Sequence, residues 1–316
     1  MIPLEEIRAA RETIAGAAVR TPLVRLQTPE VPGEIWLKLE CLQPIGSFKI
    51  RGATNAIRRA SREEVARGVV TASAGNMGQG VAWAAREAGV PATVAVPEHA
   101  PETKLAAIER LGARILRVPF DAWWQMIEQS RVEGVEGLFV HPVMDDSVMV
   151  GNGTIGLEIL EDLPEPDAVL VPVGGGGLVT GIGSAVKQLS PRTRVYTVEP
   201  DTAAPLAASL AAGDPCAVEY QPSFVDGAGG RLVLPPMWPL LQEIVDQGFV
   251  ASLDETAAAV RLLAERASVV AEGAGALAVA AALAGRAGAG RIVCVVSGGN
   301  IDASTLAAVL SGRTPS

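Results

Sequence analysis

From about residue 50 onward the chain alternates short aliphatic, β-branched runs with longer stretches of helical apolar spacing, which restricts its fold more than any other feature. Helical spacing over 50–60, 77–89, 102–111 and 121–133 is interleaved with strand-like runs at Gly68–Ala72, Ala92–Val96, Arg114–Val118 and Leu138–Val140. The rhythm then repeats, with helix 152–162, strand Ala168–Val173, helix 178–189 and strand Arg194–Val198. Helices over 254–268 and 274–284 precede a last strand, Arg291–Val296. Near the start, 4–17 has amphipathic spacing and Glu34–Glu40 reads as a strand. Apolar runs without polar alternation suit strands covered on both faces, and strands separated by helices pair in parallel.

A length of 316 residues suits about two domains. No internal period of roughly 20–50 residues and no low-complexity linker is visible. The pattern therefore predicts two closely packed α/β domains, each a doubly wound parallel sheet. Asp145-Asp146-Ser147 is the predicted crossing. Residues 48–145 would form a small, mobile domain, and 1–47 would return to join 146–316 in a larger one.

Several function classes are disfavoured. A net charge of −9 with no basic tract argues against nucleic-acid binding. The most apolar stretch, Ala271–Gly290, carries Glu272 and Arg286 and lacks the bulky side chains of a membrane span. Glu5 and Glu6 interrupt the first residues, so no secretory signal is visible, and a soluble cytoplasmic protein is expected. Cys41, Cys216 and Cys294 form no CxxC pair, and His99 and His141 are isolated, which disfavours a zinc site and a histidine-based triad.

Lys49 stands out because 22 of the 26 basic residues are arginine. Arginine serves a solvated surface as well as lysine does, but only lysine can form an imine with an aldehyde. Lys49 also falls at a predicted helix start, where the positive end of the dipole disfavours ammonium. Three loops complete the set. Gly174-Gly175-Gly176-Gly177 joins a strand to a helix, and its amides can converge on a phosphate with the helix N-terminus behind them. No G-x-G-x-x-G register or Walker lysine fits it. Ser73-Ala74-Gly75-Asn76-Met77 is a second strand-to-helix loop suited to a carboxylate, with Asn76 as a neutral donor. Ser297-Gly298-Gly299-Asn300 ends a third strand with a hydroxyl.

Together these segments resemble the fold-type II pyridoxal-phosphate enzymes, in particular the serine/threonine dehydratase and serine racemase branch. The match rests on Gly46–Ala53, Ala74-Gly75-Asn76, Val171–Leu178 and Ser297–Asn300, with further agreement at His141-Pro142, Gly151–Glu158, Glu199-Pro200 and Asp226-Gly227. The resemblance implies a tryptophan synthase β-like fold, a homodimer and pyridoxal phosphate bound to Lys49 through an imine. It implies that Phe48 packs beside the ring, Gly174, Gly175, Gly176 and Gly177 bind the phosphate, Asn76 meets the phenolic oxygen and Ser297 the pyridine nitrogen. Leu178 and Gly227 belong to the same cofactor-binding set. Ser73, Ala74, Gly75, Asn76 and Met77 would hold the substrate carboxylate. The chain ends soon after Ser297, so the likeness is to the short, catalytic-only form.

A serine opposite the ring nitrogen makes a weaker electron sink than a carboxylate would, which favours loss of a β-substituent over a long-lived carbanion. The expected reaction is elimination of water from a β-hydroxy amino acid of the L-threonine or L-serine type, giving a 2-oxo acid and ammonia. Alternatives are a hydroxyaspartate or aryl-serine dehydratase, a serine racemase, a β-replacement synthase, and a non-enzymatic phosphate- or nucleotide-sensing protein. Ala74 stands where racemases carry a proton-donating serine, and Met77 replaces a polar residue. Pro205 stands where metal-binding relatives have an acidic ligand, so no metal is expected at Glu199. Trp123-Trp124 is either core or the border of a substrate pocket for a large side chain.

Replacing Lys49 with alanine removes imine former and base together. Lys49→Ala should purify without the cofactor's visible band and lose turnover by several orders of magnitude. A retained band would move the imine to Lys38, Lys104 or Lys187.

Overall fold

The computed structural model describes residues 1–28, 31 and 33–315. Strands β1 (Leu23–Leu26) and β2 (Glu34–Leu39) precede the helix that starts at Lys49. After it come β3 (Val69–Ala72), β4 (Ala92–Pro97), β5 (Arg114–Val118) and β6 (Leu138–Phe139). Later strands are β7 (Ala168–Pro172), β8 (Arg194–Pro200), β9 (Gln247–Ala251) and β10 (Arg291–Val296). They form a six-stranded sheet, β1-β2-β10-β7-β8-β9, and a four-stranded sheet, β5-β4-β3-β6. All pairings are parallel except that of β1 with β2. The segment from Leu26 to Glu34 is too short to hold a crossover helix, so these two strands meet as a hairpin.

Both sheets are covered on both faces. On the six-stranded sheet, one apolar layer joins β2, β10 and the alanine-rich helix Gly273–Leu283, and another joins β7 to the helices Asp146–Asp162 and Gly177–Leu189. The four-stranded sheet packs on one face against helices Lys49–Arg59 and Asn76–Ala88, and on the other against the helix Phe120–Gln129. The predicted helix over 152–162 begins six residues earlier, at Asp146, because the Asp145 carboxylate caps it by accepting the Val148 amide at 3.2 Å. The predicted crossing is therefore a capped helix start. The apolar periodicity does not mark strands β1 and β9 or the helices Pro205–Ala212, Trp238–Ile244 and Ala303–Leu310.

Beneath the Lys49 helix lies a fully buried group of four charges. The Arg51 guanidinium donates twice to Glu40, both bonds at 2.8 Å, and twice to Glu158, at 2.7 and 2.8 Å. The ammonium of Lys38, on β2, donates to Glu158 at 2.5 Å and to the Thr21 carbonyl at 2.6 Å. Burial pushes the Glu40 carboxyl up, but Arg51 outweighs it and holds the group below its ordinary range. Stability from this carboxylate is thus present above its unfolded pKa and lost as pH falls.

Arg51→Met would leave two buried carboxylates facing Lys38 alone. Such a break costs about 3–5 kcal/mol, whereas Arg192→Met, at the exposed pair with Glu165, costs about 0–1 kcal/mol. Denaturant titration of the two variants should separate them clearly.

Candidate active site

Lys49 reaches the site because its segment is stitched to the end of β10. The Phe48 amide donates to the Ser297 carbonyl at 3.0 Å, and the Gly299 amide to the Gly46 carbonyl at 2.9 Å. Gly46 is left-handed (φ 72°), and a Cβ there would lie 2.6 Å from Asn300 Oδ1, so the turn demands glycine. This brings Phe48, Lys49 and Ser297 to one end of the six-stranded sheet, where the β7 glycine loop also ends. Phe48, Lys49, Gly174, Gly175, Gly176, Gly177, Leu178, Gly227 and Ser297 line a single cavity there, together with Pro142, Val143 and Asn152.

The Lys49 amine donates to the Pro142 carbonyl at 3.0 Å and sits 5.1 Å above the Phe48 ring. The other three lysines each pair with a carboxylate, Lys38 with Glu158, Lys104 with Asp226 and Lys187 with Asp246. Lys49 has no such partner among the described residues. Burial pushes its pKa down to about 8, against the opposing pull of Glu272. The carbonyl it meets is held in turn by His141, whose Nδ1 accepts the Val143 and Met144 amides at 2.9 and 2.8 Å. Two donors at Nδ1 leave the ring proton on Nε2, and burial pushes the imidazole pKa down to about 4, so His141 is neutral.

The glycine loop has the form of an anion nest. Gly176 is left-handed (φ 97°), the helix it opens has no side-chain cap, and among the described residues the amides of Gly174, Gly175 and Gly176 find no backbone acceptor. A Cβ on Gly175 would lie 2.3 Å from Val143, and one on Gly177 would lie 2.9 Å from the Val143 carbonyl. Uncapped amides and the absence of side chains fit the phosphate of pyridoxal phosphate, while Lys49 in the same cavity fits its aldehyde.

The loop from Ser73 to Met77 does not line this cavity. Ser73 Oγ accepts the Gly75 amide at 3.3 Å, and a Cβ on Gly75 would meet nothing within 4 Å. Ala74 packs at the margin of the small-sheet core. The Met77 side chain is buried within that core, so the loop offers its backbone and not its thioether. Asn76 opens the next helix, donates to Glu272 Oε1 at 2.7 Å and accepts from Asn300 Nδ2 at 2.7 Å. Neither Trp123, which donates to the Ala95 carbonyl, nor Trp124, which donates to Glu128, lines the cavity. Both Glu199 oxygens accept amides, from Leu206 at 3.1 Å and Ala207 at 2.7 Å, so this carboxylate caps the helix Pro205–Ala212.

Sequence reasoning missed Glu272, Asn152 and the supporting role of His141. A signal for Glu272 existed, since it is a lone acid in an alanine- and glycine-rich stretch otherwise suited to burial. Asn152 lines the cavity with its Oδ1 buried and without a partner among the described residues, and its Nδ2 donates to the Gly177 carbonyl at 3.3 Å.

Residues 14–298 match the family described as pyridoxal-phosphate dependent enzyme. The chain is 42% identical to an L-threonine ammonia-lyase of Thermotoga maritima, over 98% of this chain and 79% of that protein. Among solved structures it resembles maize serine racemase, with a TM-score of 0.88 and 32% identity, covering 98% of this chain and 97% of that one. It also resembles the processed form of threonine deaminase isoform 2 from Solanum lycopersicum, with a TM-score of 0.88 and 32% identity over 98% and 87% of the two chains.

A single methyl tests the nest. Gly175→Ala should weaken cofactor retention at least tenfold, read as activity recovered only when pyridoxal phosphate is added after dialysis. Val143→Ala in the same chain should restore much of it, because the clash is with that side chain.

Proposed function

Because this chain belongs to the pyridoxal-phosphate dependent enzymes, we propose that it removes water from L-threonine or L-serine and releases the 2-oxo acid and ammonia. The observation that carries this reading is the pairing of an unpaired, weakly basic Lys49 with a neutral hydroxyl, Ser297, in one cavity. Bound pyridoxal phosphate supplies an aldehyde and an electron-withdrawing ring that acidifies the α-hydrogen of an amino acid. In this reading Lys49 would hold that aldehyde, and its amine would take the α-proton of the amino acid. A pKa near 8 leaves about a tenth of its amine unprotonated at pH 7, far more than an ordinary lysine would have.

Other residues bind and orient. The amides of Gly174–Gly177 and the helix dipole behind them take the phosphate. Ser297 would meet the ring nitrogen without adding charge, and Phe48 would pack beside the ring. Leu178 and Gly227 complete the lining, while Asn76 would donate to the phenolic oxygen. The backbone of Ser73–Met77 takes the substrate carboxylate, and residues 48–145 act as the smaller domain that carries this loop. We extend the reading to a homodimer in the cytoplasm, on the family resemblance alone.

A racemase reading has support from the likeness to maize serine racemase. Ala74 opposes it, since a methyl cannot return a proton to the face opposite Lys49. The enzyme should therefore convert L-threonine and L-serine to keto acid with little D-isomer, and Ala74→Ser should raise the ratio of racemisation to elimination. Chiral chromatography after partial conversion gives both numbers. Rapid D-serine formation by the unaltered protein would overturn the dehydratase assignment.

A further inference from the structure

Glu272 is a nearly buried carboxyl at the site, 8% exposed, with no place in the chemistry above. It precedes the alanine-rich helix Gly273–Leu283 but does not cap it. Its side chain turns instead across the interface between the sheets and accepts from Asn76 Nδ2 at 2.7 Å. Space for it is made by Gly298, where a Cβ would lie 2.2 Å from Glu272 Oε1. The opposite end of the Asn76 amide accepts from Asn300, whose nitrogen also donates to the Ile45 carbonyl at 2.9 Å.

These bonds decide which way the Asn76 amide faces. An ionised carboxylate has no proton to give, so only the amide nitrogen can face Glu272. Asn300 must then donate to the amide oxygen. The second N–H of Asn76 has no protein partner among the described residues. We propose that Glu272 is a positioning residue, which locks the Asn76 amide so that its free N–H is presented to an acceptor oxygen on the bound cofactor. The proposal rests on the functional reading only through the cofactor, not through the substrate.

The charges around Glu272 make the lock sensitive to pH. Lys49, Asp226 and Lys104 act on it, with the Asn76 side chain and the Asn300 amide as hydrogen-bond partners. Burial pushes its pKa up to about 7, and Asp226 adds to the rise while Asn76, Lys104 and the Asn300 amide oppose it. Below that pH the carboxyl carries a proton that can donate to the Asn76 oxygen, in competition with Asn300. Above it the lock works in one direction. Because the folded pKa is raised, this group stabilises the fold at low pH and loses that contribution as pH rises through about 7. The lock therefore tightens over the interval in which the fold loses support from the same carboxyl.

The test compares holoenzymes of Glu272→Ala, Glu272→Gln, Asn76→Ala and the Glu272→Ala/Asn76→Ala double variant. Readouts are pyridoxal phosphate affinity and the visible absorbance band from pH 6 to 9. Glu272→Ala and Asn76→Ala should each weaken affinity about tenfold and shift the band, and the double variant should be no worse than either single one. Glu272→Gln keeps an acceptor, so its affinity should stay within about threefold while its band loses the transition near neutrality. If Glu272→Ala fails to fold, the Gln variant and Asn76→Ala carry the comparison. A Glu272→Ala protein with a lower Tm but unchanged affinity and band would overturn the proposal, as would an unchanged pH titration in Glu272→Gln. None of these readouts uses turnover, so a failed dehydratase assay leaves them intact.

Discussion

Everything near the site depends on where the buried Arg51 guanidinium is held. It lies two residues after Lys49 on the same helix and is bonded to Glu40 beyond β2 and to Glu158 on the central helix Asp146–Asp162. Charges taken out of water are tolerated only when every one is matched, so few placements of this helix satisfy both carboxylates. Fixing Arg51 fixes the start of the helix, and with it the amine of Lys49. The network has two cations and two carboxylates, which removes the cost of a net buried charge.

The position is passed on to the glycine loop by backbone contacts. A Cβ on Gly52 would lie 2.8 Å from the Val148 carbonyl, and one on Gly151 would lie 2.7 Å from the Arg51 carbonyl, so the Lys49 helix and the central helix touch main chain to main chain. On its far side the central helix meets the helix Gly177–Leu189 in the same way, since a Cβ on Gly181 would lie 2.3 Å from the Met149 carbonyl. Helices this close have little freedom to slide, because each groove accepts only a hydrogen atom from its neighbour. Lys49 and the glycine nest are therefore held by two rigid contacts and not by the loops that carry them.

That scaffold explains how far the sequence could be read. Apolar runs such as Ile292–Val296 and Val169–Val171 are local signals, and they place the sheets to within a residue or two. The region from about 200 to 250 was opaque for the opposite reason. Helix Pro205–Ala212 is nearly all small residues with no polar face, and β9, Gln247–Ala251, is short and contains glycine. The same division holds in the site. Gly174–Gly177 and Ser297 each follow a strand, and Lys49 opens a helix after a glycine turn, so each can be recognised in place. Glu272 is separated from Asn76 by 196 residues, and the role of His141 depends on a carbonyl in its own turn, so neither has a local signature.

One consequence concerns charge. Three ionisable groups in or beside the cavity are displaced toward their neutral forms, Lys49 to about 8, His141 to about 4 and Glu272 to about 7, and burial is the first cause in each. Enclosure of that kind works against the fold, since each group would be better solvated in the open chain. Amides and hydroxyls are left as the polar lining, and these can hold an anion without titrating. Lys49, which lines the cavity, has a pKa of about 8, near neutral pH. The destabilising burial and the lowered basicity of Lys49 are thus two results of one arrangement.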